Sequence, residues 1–262
     1  MLLDLFREYQ SGSGQFTDLL IGALLTMIVV LFSLSFHEFA HGYVAYKLGD
    51  PTADRMGRLT LNPLVHLDPL GTICMLLCGF GWAKPVPVST RFFRKPKRDM
   101  ALTAFAGPVS NILLAFVCML IYRLLILAFG NVSLHSEFVY FIVLYTIQLF
   151  WYGHVLNLYL AVFNLIPIPP LDGSRLLNVI LPPKAYFGIM KYENRIYWIF
   201  FGWIFLGPYV SRALLSLSLV AANPVLAAIA GFFDLSNILS VIISYVYTAM
   251  MNFWQLIPFL KI

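Results

Sequence analysis

His37, Glu38 and His41 stand in the pentapeptide "HEFAH", which fits the pattern H-E-x-x-H. On a helix, positions i and i+4 fall one turn apart on nearly the same face, so both imidazoles reach one cation. Glu38 lies about 100° further round that helix, where its carboxylate can take a proton from a metal-polarised water without ligating the metal. Metal-assisted peptide hydrolysis needs this division of labour. The competing reading is a pair of hydrogen-bonded helix histidines beside a snorkelling glutamate. Location favours the metal: the motif closes an apolar run that begins at Leu19, and ionisable groups inside a membrane span are functional by default.

A catalytic zinc usually takes three protein ligands and keeps one position open. Asp172, in "NLIPIPPLDGSRLL", is the best candidate for the third. Asn164, Pro167, Pro169 and Pro170 break an apolar run ahead of it, and Gly173 permits a sharp turn after it. A carboxylate presented from broken backbone at membrane depth suits an ion site. The alternative is that Asp172 N-caps the helix that follows.

The elements that must position these groups are membrane spans. The chain has 262 residues, of which 60% are hydrophobic and 11% charged, against about 25% charged in ordinary soluble domains. Several apolar runs exceed the ~18 residues that mark a transmembrane helix. The sequence therefore predicts an all-α polytopic membrane protein, a helical transmembrane bundle with a broken helix and a short re-entrant or β-hairpin segment. Span one covers Leu19 to about Tyr46, span two runs from near Ala101 to Gly130, and span three from about Phe138 to Leu165. Residues 196–260 hold two further spans, or three. Between spans one and two, "LGTICMLLCGFGWAKPVPV" is apolar but too short and too rich in Gly and Pro for a clean span. It reads as a re-entrant hairpin or a membrane-edge strand pair whose backbone must be satisfied by protein or a water-filled cavity. Such an edge suits pairing with an unwound peptide.

The net charge of +5 does not point to nucleic acid, because the basic residues cluster in short loops. Lys84, Arg91, Arg94, Lys95, Lys97 and Arg98 separate spans one and two; Arg175, Lys184, Lys191 and Arg195 follow span three. Both loops belong in the cytoplasm, which leaves the N-terminus and "NVSLHSE" outside. His41 then sits roughly 9 Å below Lys47, near the cytoplasmic end of span one, at ~1.5 Å rise per residue. No cleavable signal peptide is expected at the N-terminus, where no basic region precedes the first apolar run.

Cys74, Cys78 and Cys118 read as reduced packing residues; the Cys74/Cys78 spacing fits one helix face, but no further soft ligand lies nearby. His66 is expected to hydrogen-bond or pack within a loop, His135 to be solvated in the outer loop, and His154 to bond between helices. Arg123, inside span two, is expected to snorkel to the nearer interface.

"HEFAH" ending one span, "AGPVSN" opening another and "NLIPIPPLDG" breaking a third resemble the site-2 protease family of intramembrane zinc metalloproteases. "GRLTLNPLVHLDPLGT" and "GWAKPVPV" are similar to the connecting region of its bacterial and archaeal members, and the likeness covers about residues 20–182. It implies one Zn²⁺ per chain held by His37, His41 and Asp172, with Glu38 activating water. It also implies that Asn111, from "GPVSN", approaches the site to position substrate or transition state. The whole chain, 1–262, then forms a single membrane-embedded protease domain, with its catalytic core over about 19–182 and additional transmembrane helices over about 196–260. The PDZ or CBS domains of many family members are not visible in it. The implied activity is hydrolysis of peptide bonds in or next to transmembrane helices of membrane-protein substrates, at the cell membrane, with the active site towards the cytoplasm. The implied surroundings are the lipid bilayer and no nucleic acid, with a homo-oligomer left open. A membrane zinc transporter, or a metal-binding protein without protease activity, is the alternative. A transporter needs ligands along a path, whereas here the polar groups converge on one turn.

Overall fold

The computed structural model describes residues 16–78, 81–130, 132 and 136–257. The N-terminal stretch 1–15, His135 in the outer loop and the Cys78 side chain lie outside what is described. Among the described residues the architecture is helical throughout, with no strand longer than one bridge. In chain order the helices are α1 (Phe16–Lys47), α2 (Thr52–Arg55), α3 (Pro63–His66), α4 (Pro69–Cys78), α5 (Pro96–Phe129), α6 (Glu137–Asn164), α7 (Asp172–Ile180), α8 (Pro183–Met190), α9 (Glu193–Leu215), α10 (Ser218–Ala222), α11 (Pro224–Phe232) and α12 (Leu235–Gln255). Five of them, α1, α5, α6, α9 and α12, are long and apolar enough to cross a membrane. The chain is a multi-pass membrane protein.

The distribution of polarity is inverted relative to a soluble bundle. On α1, Phe16, Leu20, Leu24, Ile28 and Phe32 recur every fourth residue and are all exposed, while Ser33, His37 and His41 are buried. Asn111, His154 and Asn157 are likewise buried between helices. An apolar solvent favours this arrangement: hydrocarbon side chains face lipid and polar groups find partners inside the protein.

α5 packs along α1, α6 and α7 and so forms the centre of the structure. A second layer is built where Phe200 of α9 and Leu235, Leu239 and Ile243 of α12 cluster with Ala115 of α5 and Leu158 of α6. Arg123 does not snorkel. It is 2% exposed, and its Nη2 lies 3.4 Å from Met251 Sδ on α12. Helix α12 covers that face of α5.

The connection from α1 to α5 is tied down by two buried charged side chains. α1 ends where Gly49 adopts φ 107° and Asp50 N–H donates to Ala45 C=O, a left-handed cap that glycine makes without strain. Asp50 then accepts from Thr52 N–H and, at 2.6 Å, from Ser89 N–H. The Arg58 guanidinium donates to Val65 C=O at 2.6 Å and Lys84 C=O at 2.7 Å. The segment expected as a re-entrant hairpin or strand pair is a ten-residue helix, α4, followed by an extended return. Strand pairing reduces to a single bridge, Leu67 with Ala83. Helix and return meet backbone to backbone at Gly71 and Trp82, where any Cβ on residue 71 would run into the Trp82 carbonyl. The return is a poor edge for adding a strand. Pro85 and Pro87 carry no N–H, while Lys84 N–H is taken by His66 C=O and Val86 N–H by Glu38.

Candidate metal centre

His37 and His41 fall on the part of α1 that faces α5, one turn apart, and both are buried. α5 can approach them because it presents Gly107 at that point. Asp172 arrives from the other side. α6 stops at Asn164, the proline-rich turn 165–171 reverses the chain, and Asp172 is the first residue of α7. It is not the N-cap of that helix, a position taken by Leu171; its carboxylate lies against the histidines instead. Gly173 is required just behind it, because a Cβ there would lie 2.5 Å from the Ile166 carbonyl.

Three ligand atoms form a nearly equilateral triangle. His37 Nε2 and His41 Nε2 are 3.0 Å apart, and Asp172 Oδ2 is 3.1 Å from the first and 3.2 Å from the second. Ligands at ~2.0–2.1 Å from a tetrahedral zinc would be about 3.3 Å apart, so the triangle fits that ion. These three are also the residues whose donor atoms cluster closely enough for a metal among those described.

The hydrogen bonds behind the triangle fix its chemistry. His37 Nδ1 lies 2.5 Å from Asn111 Oδ1, and His41 Nδ1 lies 2.7 Å from the Thr103 carbonyl. Both partners are acceptors, so each imidazole keeps its proton on Nδ1 and turns an unprotonated Nε2 inward. Asp172 Oδ2 has no hydrogen-bond donor. Three lone pairs therefore converge on one point, an arrangement that repels itself unless a cation lies at the centre.

Glu38 is half-buried beside this group, on the next face of α1. Its Oε2 accepts from Val86 N–H at 2.8 Å, which fixes one carboxylate oxygen. Asn111 does approach the centre, but from behind His37 rather than at the open face; its Nδ2 donates onward to Asn157 Oδ1 at 2.8 Å. His66 and His154 take the loop and interhelical bonds expected of them, to Thr60 C=O at 2.8 Å and Ala115 C=O at 3.0 Å. Cys74 and Cys118 are free, half-buried thiols. Sequence reasoning missed the Thr103 carbonyl, Val86 N–H, Gly107 and Asn157. Gly107 and Val86 left a signal, inside "AGPVSN" and "GWAKPVPV".

The profile of peptidase family M50 matches residues 130–206. A Bacillus subtilis protein is 47% identical over 163 residues, covering 60% of this chain and 69% of that one. A Methanocaldococcus jannaschii protein is 34% identical over 155 residues, covering 59% of this chain and 70% of that one. A Mycolicibacterium smegmatis protein is 31% identical over 165 residues, covering 59% of this chain but 56% of that one. They bear the name "Putative zinc metalloprotease", as YwhC, MJ0611 and Rip2 respectively. No solved structure gives a significant match. The resemblance read from "HEFAH", "AGPVSN" and "NLIPIPPLDG" is thereby matched over more than two thirds of two relatives, and the chain belongs to peptidase family M50, the family of the site-2 proteases.

Proposed function

We propose that this protein is a zinc metalloprotease that hydrolyses peptide bonds in or next to transmembrane segments of other membrane proteins. The observation that carries the reading is the convergence of His37 Nε2, His41 Nε2 and Asp172 Oδ2 within 3.2 Å of one another, with both histidine protons held on the far nitrogens. Those three residues would hold the metal, one ion per chain. When bound, zinc supplies Lewis acidity, polarising the scissile carbonyl and lowering the pKa of the attacking water. Glu38 takes the proton of that water and delivers it to the leaving amine. Val86 N–H holds one Glu38 oxygen and leaves the other free to face the water.

The two histidine ligands sit inside α1 rather than on a surface loop, so the peptide must come to membrane depth. A helical segment has its carbonyls bonded internally, and must unwind locally before attack. His41 lies six residues before the end of α1 at Lys47, roughly 9 Å along the axis. Water then reaches the centre from the end bearing the basic connection, which the charge distribution assigns to the cytoplasm of a cell membrane. Residues 19–182 form the catalytic core of a single membrane-embedded domain, and the helices over 196–260 buttress it through the contact of α9 and α12 with α5 and α6.

The test is reconstitution. Purified protein in liposomes should cleave a co-reconstituted transmembrane peptide, lose that activity to a zinc chelator and regain it with added zinc. Cleavage that survives complete metal removal would sink the reading.

A further inference from the structure

A chain of buried amides runs behind His37 and crosses three helices. Asn157 Nδ2 donates to Gly153 C=O at 2.7 Å and to Ser33 Oγ at 2.8 Å. Asn157 Oδ1 accepts from Asn111 Nδ2 at 2.8 Å, and Asn111 Oδ1 faces His37 Nδ1. Ser33, Asn111 and Asn157 are each no more than 2% exposed. The helices come close enough for this because Gly153 lies against Cys118 of α5, where a Cβ would stand 2.7 Å from the Cys118 sulfur.

The chain has a direction. A primary amide can face a neighbour with either its oxygen or its NH₂, so an isolated Asn111 could present either end to His37. The Gly153 carbonyl can only accept. It draws the NH₂ of Asn157 and so turns Asn157 Oδ1 towards Asn111. That oxygen draws the NH₂ of Asn111, and Asn111 Oδ1 is left for His37. His37 must then donate from Nδ1, which reserves Nε2 for the metal. His41 needs no such chain, because the Thr103 carbonyl bonds it directly.

We infer that Asn157 is a positioning residue for His37, acting through Asn111, and that the Gly153 carbonyl sets the imidazole tautomer at the metal centre. The inference rests on the reading of His37 as a zinc ligand. Outer partners of metal-bound histidines typically affect metal affinity by 10–100-fold. In detergent-purified protein, Asn157→Leu should weaken zinc binding by ~10-fold in competition with a chelator, at the low end of that range. The double variant Asn111→Leu/Asn157→Leu should bind no more weakly than Asn111→Leu alone, since Asn157 acts only through Asn111. Ser33→Ala, which leaves the Gly153 bond intact, should stay within about twofold of wild type, as expected when the directing acceptor is untouched. Additive losses, an unchanged Asn157→Leu, or a Ser33→Ala loss as large as that of Asn157→Leu would overturn the inference. Nitrogen NMR of histidine-labelled wild type reads the tautomer without any substitution. His37 should carry a proton on Nδ1 both with zinc and without it, and an Nδ1 that lacks its proton refutes the chain. A wild type that binds no zinc counts against the metal reading alone, because the tautomer is still measured in the metal-free protein.

Discussion

Gly107 and His41 meet across the α1–α5 contact with no space for a side chain between them. A Cβ at position 107 would lie 2.5 Å from His41 Cε1 and 2.5 Å from His37 Cε1. The glycine is thus the gap in α5 into which both imidazoles fit. Gly107→Ala should leave the helix intact, since alanine is the better helix former, while the methyl group pushes both rings off the triangle. We expect zinc affinity to fall ~10–100-fold, the usual cost of misorienting ligands, with an overpacking penalty of about 1–3 kcal/mol. Metal analysis after dialysis and a thermal melt separate the two effects. Full zinc retention in this variant would show that the rings do not occupy the positions described.

The three residues of the triangle were legible because the chemistry proposed for them is written in short spacings: i, i+4 for the histidines, and a carboxylate before glycine where prolines end a span. Membrane spans were legible from apolar runs, although their ends were not always. Span two was expected from near Ala101, because "RKPKR" reads as loop. The helix begins at Pro96 instead, where the ring fixes φ and Asp99 accepts from Lys95 N–H at 2.9 Å. The connection after span one was legible only in part, for another reason. Ten apolar residues fit a short helix or a buried strand equally well by periodicity, and the packing of Gly71 on Trp82 is invisible in sequence. Asn157 was the least legible. One asparagine in an apolar run says nothing of Asn111 and Ser33, which lie 46 and 124 residues away in the chain.

Val86 holds the proposed base, Glu38, through its backbone. Val86→Pro removes the N–H that holds Glu38 Oε2 and should lower the cleavage rate by ~10-fold or more, the lower range for impairing a general base. Zinc occupancy should not change, because no ligand is touched. Val86→Ala keeps the N–H and loses only side-chain packing, part of it near Gly42, so it should retain clearly more activity than the proline variant. Equal loss in both would assign the effect to packing.

The topology is tested by labelling single cysteines in a background lacking Cys74, Cys78 and Cys118. Arg94 is exposed between α4 and α5, and Ser136 is exposed just ahead of α6. A cysteine at 94 should react with an impermeant reagent only from the cytoplasmic side, and one at 136 only from outside. The reverse pattern would place the water route on the opposite face of the membrane.

Glu38 and Asp172 should fail in different ways when each loses its charge. Glu38→Gln keeps the shape of the side chain and its contact with Val86 N–H, and it leaves the ligand triangle alone. Zinc should stay near wild-type occupancy and a transmembrane peptide should still bind, while cleavage falls by ~10²-fold or more for want of a proton acceptor. Asp172→Asn instead replaces an anionic ligand by a neutral amide, a poorer partner for the ion. The amide NH₂ can also turn towards the two inward Nε2 atoms and donate to one of them, which closes the site without metal. Zinc affinity itself should therefore drop, and activity with it, with partial recovery at high zinc concentration. A transporter would behave otherwise. Neither variant would differ from wild type in proteolysis, because wild type would show none, and sealed vesicles bearing wild type would accumulate zinc. Zinc flux without cleavage would remove the protein from the proteases, and undiminished cleavage by Glu38→Gln would remove Glu38 from the role of base.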